Sequence, residues 1–255
     1  MSRYHEAMDD SVTVKIFEDG SALATAAAQT IAAIAGEAVS AHGRFTVALS
    51  GGGTPRETYM RLAQPPHSDT VPWRRTFVFF SDERCVPADH PESNSRMARE
   101  TLLGKVPIPA NQIFPIRCHD GAESDAAAAD YARALSDVFG LRRGELPRFD
   151  LILLGVGIDG HTGSLFPGSP ALKEVFRPVV AVHAAAATIP ERITLTYPVL
   201  NNAAHVMFLA SGAEKAKVVR SALKEGALLP AGMVRPANGR LVWMLDRAAA
   251  ALVGA

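Results

Sequence analysis

Phe45-Thr46-Val47-Ala48-Leu49-Ser50-Gly51-Gly52-Gly53-Thr54-Pro55-Arg56-Glu57 is the stretch on which the fold turns. Phe45–Leu49 reads as a short buried strand. Thr54-Pro55-Arg56-Glu57 is a capping-box pattern with Pro at the first helical position, so a helix is predicted to start there. Between them stand three consecutive glycines, more than a tight turn needs for its dihedrals. They let a ligand approach backbone N–H groups and the positive end of the helix dipole. The stretch therefore predicts a strand, a phosphate-cradling loop and a helix. It is not a P-loop, since no G-x-x-x-x-G-K-[ST] occurs.

Outward from this stretch the alternation continues. Leu23, Ala27, Ile31, Ile34 and Ala38 form a helical stripe that ends near Gly43. Thr76–Phe80 and Leu151–Leu154 are further apolar runs, the latter following a helix predicted over Asp125–Phe139. Val179–Val182, Ile193–Thr196, Val206–Ala210 and Leu241–Leu245 complete the set of strand candidates, with another helix predicted over Ala213–Leu223. No 20–50-residue repeat and no Ser/Gly-rich linker divides the chain, so residues 1–255 read as one domain. Short apolar runs alternating with helices predict an α/β fold, a mainly parallel sheet covered on both faces.

Sheets of this kind bind ligands at the carboxyl ends of their strands, and unusual residues do follow the strand candidates. Phe45–Leu49 leads to the glycine loop with Thr54, and Thr76–Phe80 leads to Ser81-Asp82-Glu83-Arg84. Leu151–Leu154 leads to Gly155-Val156-Gly157-Ile158-Asp159-Gly160-His161-Thr162. The last fits G-x-G-x-x-G, but Pro167, Gly168 and Pro170 interrupt the long helix that a dinucleotide site opens. The acidic residue such a site wants after the next strand is also missing, since Val179–Val182 ends at His183. The glycines instead serve a tight loop that carries Asp159 and His161.

Of eight histidines, His161 stands apart because Asp159 precedes it by two residues in that loop. A carboxylate can orient an imidazole to accept a proton near neutral pH. No Ser or Cys nucleophile pairs with it: G-x-S-x-G is absent around Ser164. Metal chemistry lacks its signatures, with no H-E-x-x-H and no ligand-spaced partners for Cys118-His119, and no cofactor is expected. Arg84, Arg192 and Lys215 are candidate cations for an oxyanion or a phosphate. Without other support, each would be a surface charge.

The chain has 26 basic and 26 acidic side chains and no net charge. That argues against nucleic acid or an anionic membrane surface as a partner, since both demand surplus Lys and Arg. The amino-terminal segment is polar, without the pattern of a secretory signal. Apolar stretches such as Leu151–Ile158 fall short of the ~20 residues of a bilayer span. Two cysteines, Cys85 and Cys118, with no C-x-x-C read as reduced thiols in a cytoplasmic protein.

Three blocks together resemble the 6-phosphogluconolactonase family: Ser50–Pro55, Ser81–Pro87, and Gly155–Gly168 with its Asp-Gly-His-Thr core. The similarity continues through Glu92-Ser93-Asn94, Pro190–Thr196, Ser211–Lys215 and Trp243–Asp246, nearly the whole chain in order. It implies a Rossmann-like fold and hydrolysis of 6-phospho-glucono-1,5-lactone to 6-phosphogluconate. In that reading His161 is the general base supported by Asp159, and Arg84 is a site cation. Gly51, Gly52, Gly53, Thr54, Asp82, Arg192 and Lys215 hold the substrate and its phosphate. The partner is a small sugar-phosphate lactone, and the protein is expected as a monomer or small homo-oligomer. Gly53 departs from the family's pattern, where many members carry Ser; the backbone cradle survives that change.

Glucosamine-6-phosphate deaminases share the fold and the Asp-Gly-His loop, and are the alternative. Their loop places a Glu five residues after the His, where this chain has Phe166, and their Asp-Glu-Tyr becomes Asp82-Glu83-Arg84. Both departures favour a lactonase over an isomerase or deaminase. A non-enzymatic sugar-phosphate sensor would have no need of the Asp159–His161 pair.

Overall fold

The computed structural model describes residues 12–118, 124–224 and 228–254; residues 1–11, which carry the reading of the amino-terminal segment, and His119 lie outside them. The strands are β1 (Val12–Phe17), β2 (Phe45–Leu49), β3 (Thr76–Phe80), β4 (Asp82–Arg84), β5 (Leu151–Leu154), β6 (Val179–His183), β7 (Glu191–Leu195), β8 (His205–Ala210) and β9 (Arg240–Asp246). The α-helices are α1 (Gly20–His42), α2 (Gly53–Leu62), α3 (His67–Thr70), α4 (Asn94–Ala98), α5 (Ser124–Phe139), α6 (Tyr197–Leu200) and α7 (Ala216–Leu223).

Six strands form one sheet in the order β1-β9-β8-β5-β2-β3, and every pairing in it is parallel. Their near-continuous apolar sequences reflect burial on both faces: β2 and β5 are buried at every residue. The chain passes from β2 to β3 on one side, then returns past β2 to β5 on the other. The crevice between β2 and β5 is therefore the topological switch point, where open α/β sheets bind ligands. One continuous cluster of buried apolar side chains runs from Leu23 on α1 to Trp243 on β9.

The predicted stripe is α1. The Asp19 side chain accepts from Ala22 N–H at 2.8 Å, and Gly43 closes the helix in the left-handed conformation at φ 84°. α1 also revises the reading of membrane-length segments: its 23 residues and mean hydropathy of 1.4 would suffice to span a bilayer. Eight residues of its apolar stripe, Leu23 to Ala38, are instead buried in this fold.

Four expectations change. Val179–Val182 and Ile193–Thr196 do not join the parallel sheet; β6 and β7 pair antiparallel, with β4 on the other edge of β7. Only residues 184–190 connect β6 to β7, too few for the crossover that parallel neighbours require. Asp82–Arg84, read as loop, is β4, a charged strand made by its partner rather than by propensity. The capping box is not formed: α2 starts at Gly53 with Gly52 as N-cap at φ 105° and no side-chain cap. The glycines let the backbone turn into the helix two residues early, and Glu57 pairs with Arg61 instead. Finally, Cys85 and Cys118 are joined in a disulfide, not reduced. Cys85 continues from β4, donating its N–H to Glu191 O, while the strand-like Ile113–Phe114 segment returns beside β3. The two Cα atoms meet at 4.6 Å.

Candidate active site

The cleft at the switch point, of about 350 Å³, is lined by Ser50–Pro55, Asp82, Arg84, Asn94, Gly155–Ile158, His161, Gly163, Arg192, Leu209, Ala210 and Lys215. A larger groove of about 740 Å³ lies on the other side of Glu83, bordered by Leu103, Ile113 and Cys118. The chemistry-bearing loops converge on the smaller cleft. All the predicted site residues line it except Asp159, which reaches it through His161.

At the first wall, α2 begins without a capping side chain, so its first N–H groups have no intrahelical acceptor and favour an anion. Ser50, just before the glycines, is clamped by a buried tyrosine. Ser50 N–H donates to Tyr59 Oη at 3.0 Å, and Tyr59 Oη donates to Ser50 O at 2.9 Å. The Ser50 hydroxyl itself is buried and has no protein partner. A matching clamp holds the end of β3, where Tyr131 Oη bonds both N–H and C=O of Phe80.

The second wall carries the imidazole. His161 Nδ1 lies 2.6 Å from Asp159 Oδ1, which also accepts the His161 backbone N–H at 3.2 Å. An ionised carboxylate only accepts, so Nδ1 carries the hydrogen and Nε2 keeps a free lone pair. Partial burial pushes the Asp159 carboxyl up, but the charge and hydrogen bonds of His161 prevail and hold it below its ordinary value. Gly157 makes the loop possible: a Cβ there would fall 2.2 Å from the imidazole. Phe166 packs against the imidazole, with centroids 4.5 Å apart at 35°.

Cations form the third wall. Arg84 and Arg192 face each other in the β4–β7 register, a like-charge cross-strand pair that is unfavourable without an anion. Arg84 Nη1 donates to Glu92 O at 2.6 Å and lies 3.1 Å from Glu92 Oε2. Arg192 is 8% exposed, donates Nε–H to Ile189 O at 2.8 Å, and lies over the Phe166 ring. Burial first, and the Arg84 charge second, push its guanidinium below the ordinary arginine value. Lys215 approaches from the short 3₁₀ turn Ala213–Lys215 after β8, which splits the helix predicted over Ala213–Leu223. Ser164, which has no nucleophile motif, is buried and donates to Asp82 Oδ2 at 2.7 Å. Among the described residues no group of three or more His, Cys, Asp or Glu is arranged to hold a metal ion.

Asn94 lines the cleft without having been picked out from the sequence as a site residue. Its place is set by Glu83, whose carboxylate accepts the backbone N–H groups of Asn94 at 2.7 Å and Ser95 at 2.8 Å. Burial pushes the Glu83 carboxyl up, opposed by those hydrogen bonds. Ser93, which caps α4 by accepting from Arg96 N–H, and the Glu92-Ser93-Asn94 block of the family resemblance are the traces that Asn94 left in the sequence.

Residues 18–243 match the family model described as glucosamine-6-phosphate isomerases/6-phosphogluconolactonase. The chain is 39% identical over 253 residues to a probable 6-phosphogluconolactonase 3, chloroplastic, from Oryza sativa subsp. indica, covering 93% of this chain and 75% of the relative. It is 36% identical over 253 residues to probable 6-phosphogluconolactonase 1 of Arabidopsis thaliana, covering 94% and 93%. Among solved structures, 6-phosphogluconolactonase from Trypanosoma cruzi superposes with a TM-score of 0.86 at 28% identity, covering 99% of this chain and 100% of that one. The Trypanosoma brucei 6-phosphogluconolactonase gives 0.82 at 32%, covering 94% and 98%. A monomeric glucosamine-6-phosphate deaminase shares the fold, at 0.74 and 21% identity. With its glycine loop, Asp-Glu-Arg strand and Asp-Gly-His loop gathered at one switch point, the chain belongs to the glucosamine-6-phosphate isomerase/6-phosphogluconolactonase family.

Proposed function

We propose that this chain hydrolyses 6-phospho-D-glucono-1,5-lactone to 6-phospho-D-gluconate, the lactone step of the oxidative pentose phosphate pathway, and that His161 activates the water. The observation that carries this reading is the Asp159–His161 pair, 2.6 Å apart at the mouth of a cleft with cations on its other wall. The whole chain acts as one catalytic unit, without a cofactor.

The chemistry needs one base, one oxyanion stabiliser and an anchor. The substrate phosphate binds at the first N–H groups of α2, with Arg192 and Lys215 beside it. That binding fixes the lactone ring relative to His161, converting remote affinity into orientation. His161 Nε2 takes a proton from water as the oxygen attacks the C1 carbonyl, and Arg84 stabilises the developing oxyanion. The tetrahedral intermediate collapses by breaking the bond from C1 to the ring oxygen. That oxygen takes the proton from His161 Nε2, and the new carboxylic acid ionises. Asp159 holds the imidazole in the required tautomer throughout.

A deaminase of the same scaffold is the second reading. The contact of Phe166 with the imidazole disfavours it, because the resemblance places a Glu of those enzymes at this position. Because the lactone hydrolyses spontaneously, the test compares rates on freshly generated substrate with and without protein. The wild type is expected to accelerate hydrolysis, and His161→Ala to lose about 10²–10⁴-fold in kcat. Wild-type turnover by that variant, or ammonia release from glucosamine 6-phosphate, overturns the assignment.

A further inference from the structure

Asp82 lies buried where the three loops of the site meet, and both of its carboxylate oxygens have partners from different loops. Oδ2 accepts from Ser164 Oγ at 2.7 Å, three residues beyond His161. Oδ1 accepts from Asn94 Nδ2 at 3.3 Å, and the same amide donates to the Asp82 backbone carbonyl at 2.9 Å. The Asn94 side chain in turn fills the space beside Gly51: a Cβ on Gly51 would fall 2.0 Å from Asn94 Oδ1. The glycine loop thus rests on Asn94, the histidine loop is tied through Ser164, and one carboxylate holds both. Gly163 seals the crossing in the left-handed conformation at φ 52°, where a Cβ would meet Thr194 Oγ1 at 3.0 Å.

We propose that Asp82 is a positioning residue, holding His161 in register through Ser164 and the phosphate cradle in register through Asn94. The proposal rests on the lactonase reading above, and it replaces the substrate contact expected for Asp82 from sequence. The two ties end on loops with different tasks, so they carry different kinetic signatures. Releasing Ser164 lets the base shift against the lactone carbonyl, and misplacement by about 1 Å costs on the order of 10²-fold in rate. Releasing Asn94 loosens the glycine loop, which acts in binding.

The experiment measures kcat and KM for the purified full chain, with thermal denaturation confirming that each variant is folded. Ser164→Ala is expected to lower kcat by about 10²-fold with KM within twofold. Asn94→Ala is expected to raise KM by about tenfold, the size of one lost hydrogen bond, with kcat within twofold. Asp82→Ala should show both defects. Asp82→Asn should recover much of the kcat lost in Asp82→Ala, because an amide can accept from Asn94 while donating to the Ser164 hydroxyl. If Ser164→Ala does not fold, Ser164→Cys, with a weaker donor in similar volume, carries the same expectation at smaller amplitude.

Equal effects of the Ser164 and Asn94 variants on both constants, or no effect of either, overturn the proposal. So does an Asp82→Asn variant as inactive as Asp82→Ala, which would mean that the charge and not the geometry matters. His161→Ala measured alongside separates the two levels. If it retains turnover, the lactonase reading of the site falls; if it is inactive while the other variants miss the expected pattern, only the role of Asp82 falls.

Discussion

The imidazole of His161 leans on the ring of Phe166, and the Arg192 guanidinium lies over that same ring with Cζ 5.8 Å from its centroid. An aromatic face stabilises a neighbouring cation by about 0.5–1 kcal/mol at partly exposed sites. In the proposed reaction the imidazole becomes cationic on taking the proton from water, so there the ring would act on the transition state rather than on binding. Phe166→Leu is therefore expected to lower kcat by about two- to fivefold with little change in KM, and Phe166→Tyr to restore it. Steady-state kinetics of the two variants check this. Arg84 and Arg192 confront each other in register, and an anion held beside Arg192 offsets the repulsion. Inorganic phosphate is thus expected to raise Tm, with about 2.7 kcal/mol of stabilisation at 100 times its Kd. Arg192→Ala should abolish most of that rise and increase KM at least about tenfold, as expected for a lost charged hydrogen bond. A thermal scan with and without phosphate decides it. His161 with Asp159 stood out in the sequence because its local neighbours are unusual, whereas Arg192 and Lys215 gained a site role only from the family resemblance. Asn94 did not stand out, since its role depends on Gly51 and Asp82, which only folding brings against it.

At the scale of elements, the strands β2 and β3, which launch two of the loops lining the cleft, are each held at the carboxyl end by a tyrosine. Two tyrosines do this in the same manner, Tyr59 on α2 at Ser50 and Tyr131 on α5 at Phe80. Burial pushes both hydroxyls well above the ordinary tyrosine value, so they stay neutral and can donate and accept at once. Tyr59→Phe leaves a buried N–H and C=O of Ser50 without partners, at a cost of about 1–3 kcal/mol. Because Ser50 leads into the glycine loop, KM is expected to rise with the loss of stability. Urea denaturation together with kinetics measures both. The helix predicted over Asp125–Phe139 is α5 within one residue, and the apolar stripe with its end near Gly43 is α1, whose start at Gly20 the stripe did not mark. β4 escaped notice because Asp82, Glu83 and Arg84 carry no strand pattern, and β7 supplies the pairing. The misread start of α2 has a similar cause, since Gly52 takes the cap position that Thr54 matched by composition alone.

Over the whole molecule, the Cys85–Cys118 disulfide closes an excursion of 33 residues that contains Glu92 and Asn94, both in contact with site residues. Chain-entropy arguments give a loop of this length about 3–4 kcal/mol of stabilisation. Cys118→Ser, or wild type in excess dithiothreitol, is therefore expected to unfold at lower urea concentration, with an unfolding free energy smaller by about 3–4 kcal/mol. Thiol titration of the unreduced, denatured chain should find no free thiol. The electroneutral total of the chain proved compatible with a local concentration of positive charge at Arg84, Arg192 and Lys215. The amino-acid sequence by itself determined the parallel α/β architecture and the three loops that line the cleft, because apolar periodicity and glycine or proline placement act over a few neighbouring residues. Tertiary structure alone decided the antiparallel second sheet, the disulfide and the Asp82 hub. Each joins residues far apart in the chain, and no local preference records which distant partner will meet them.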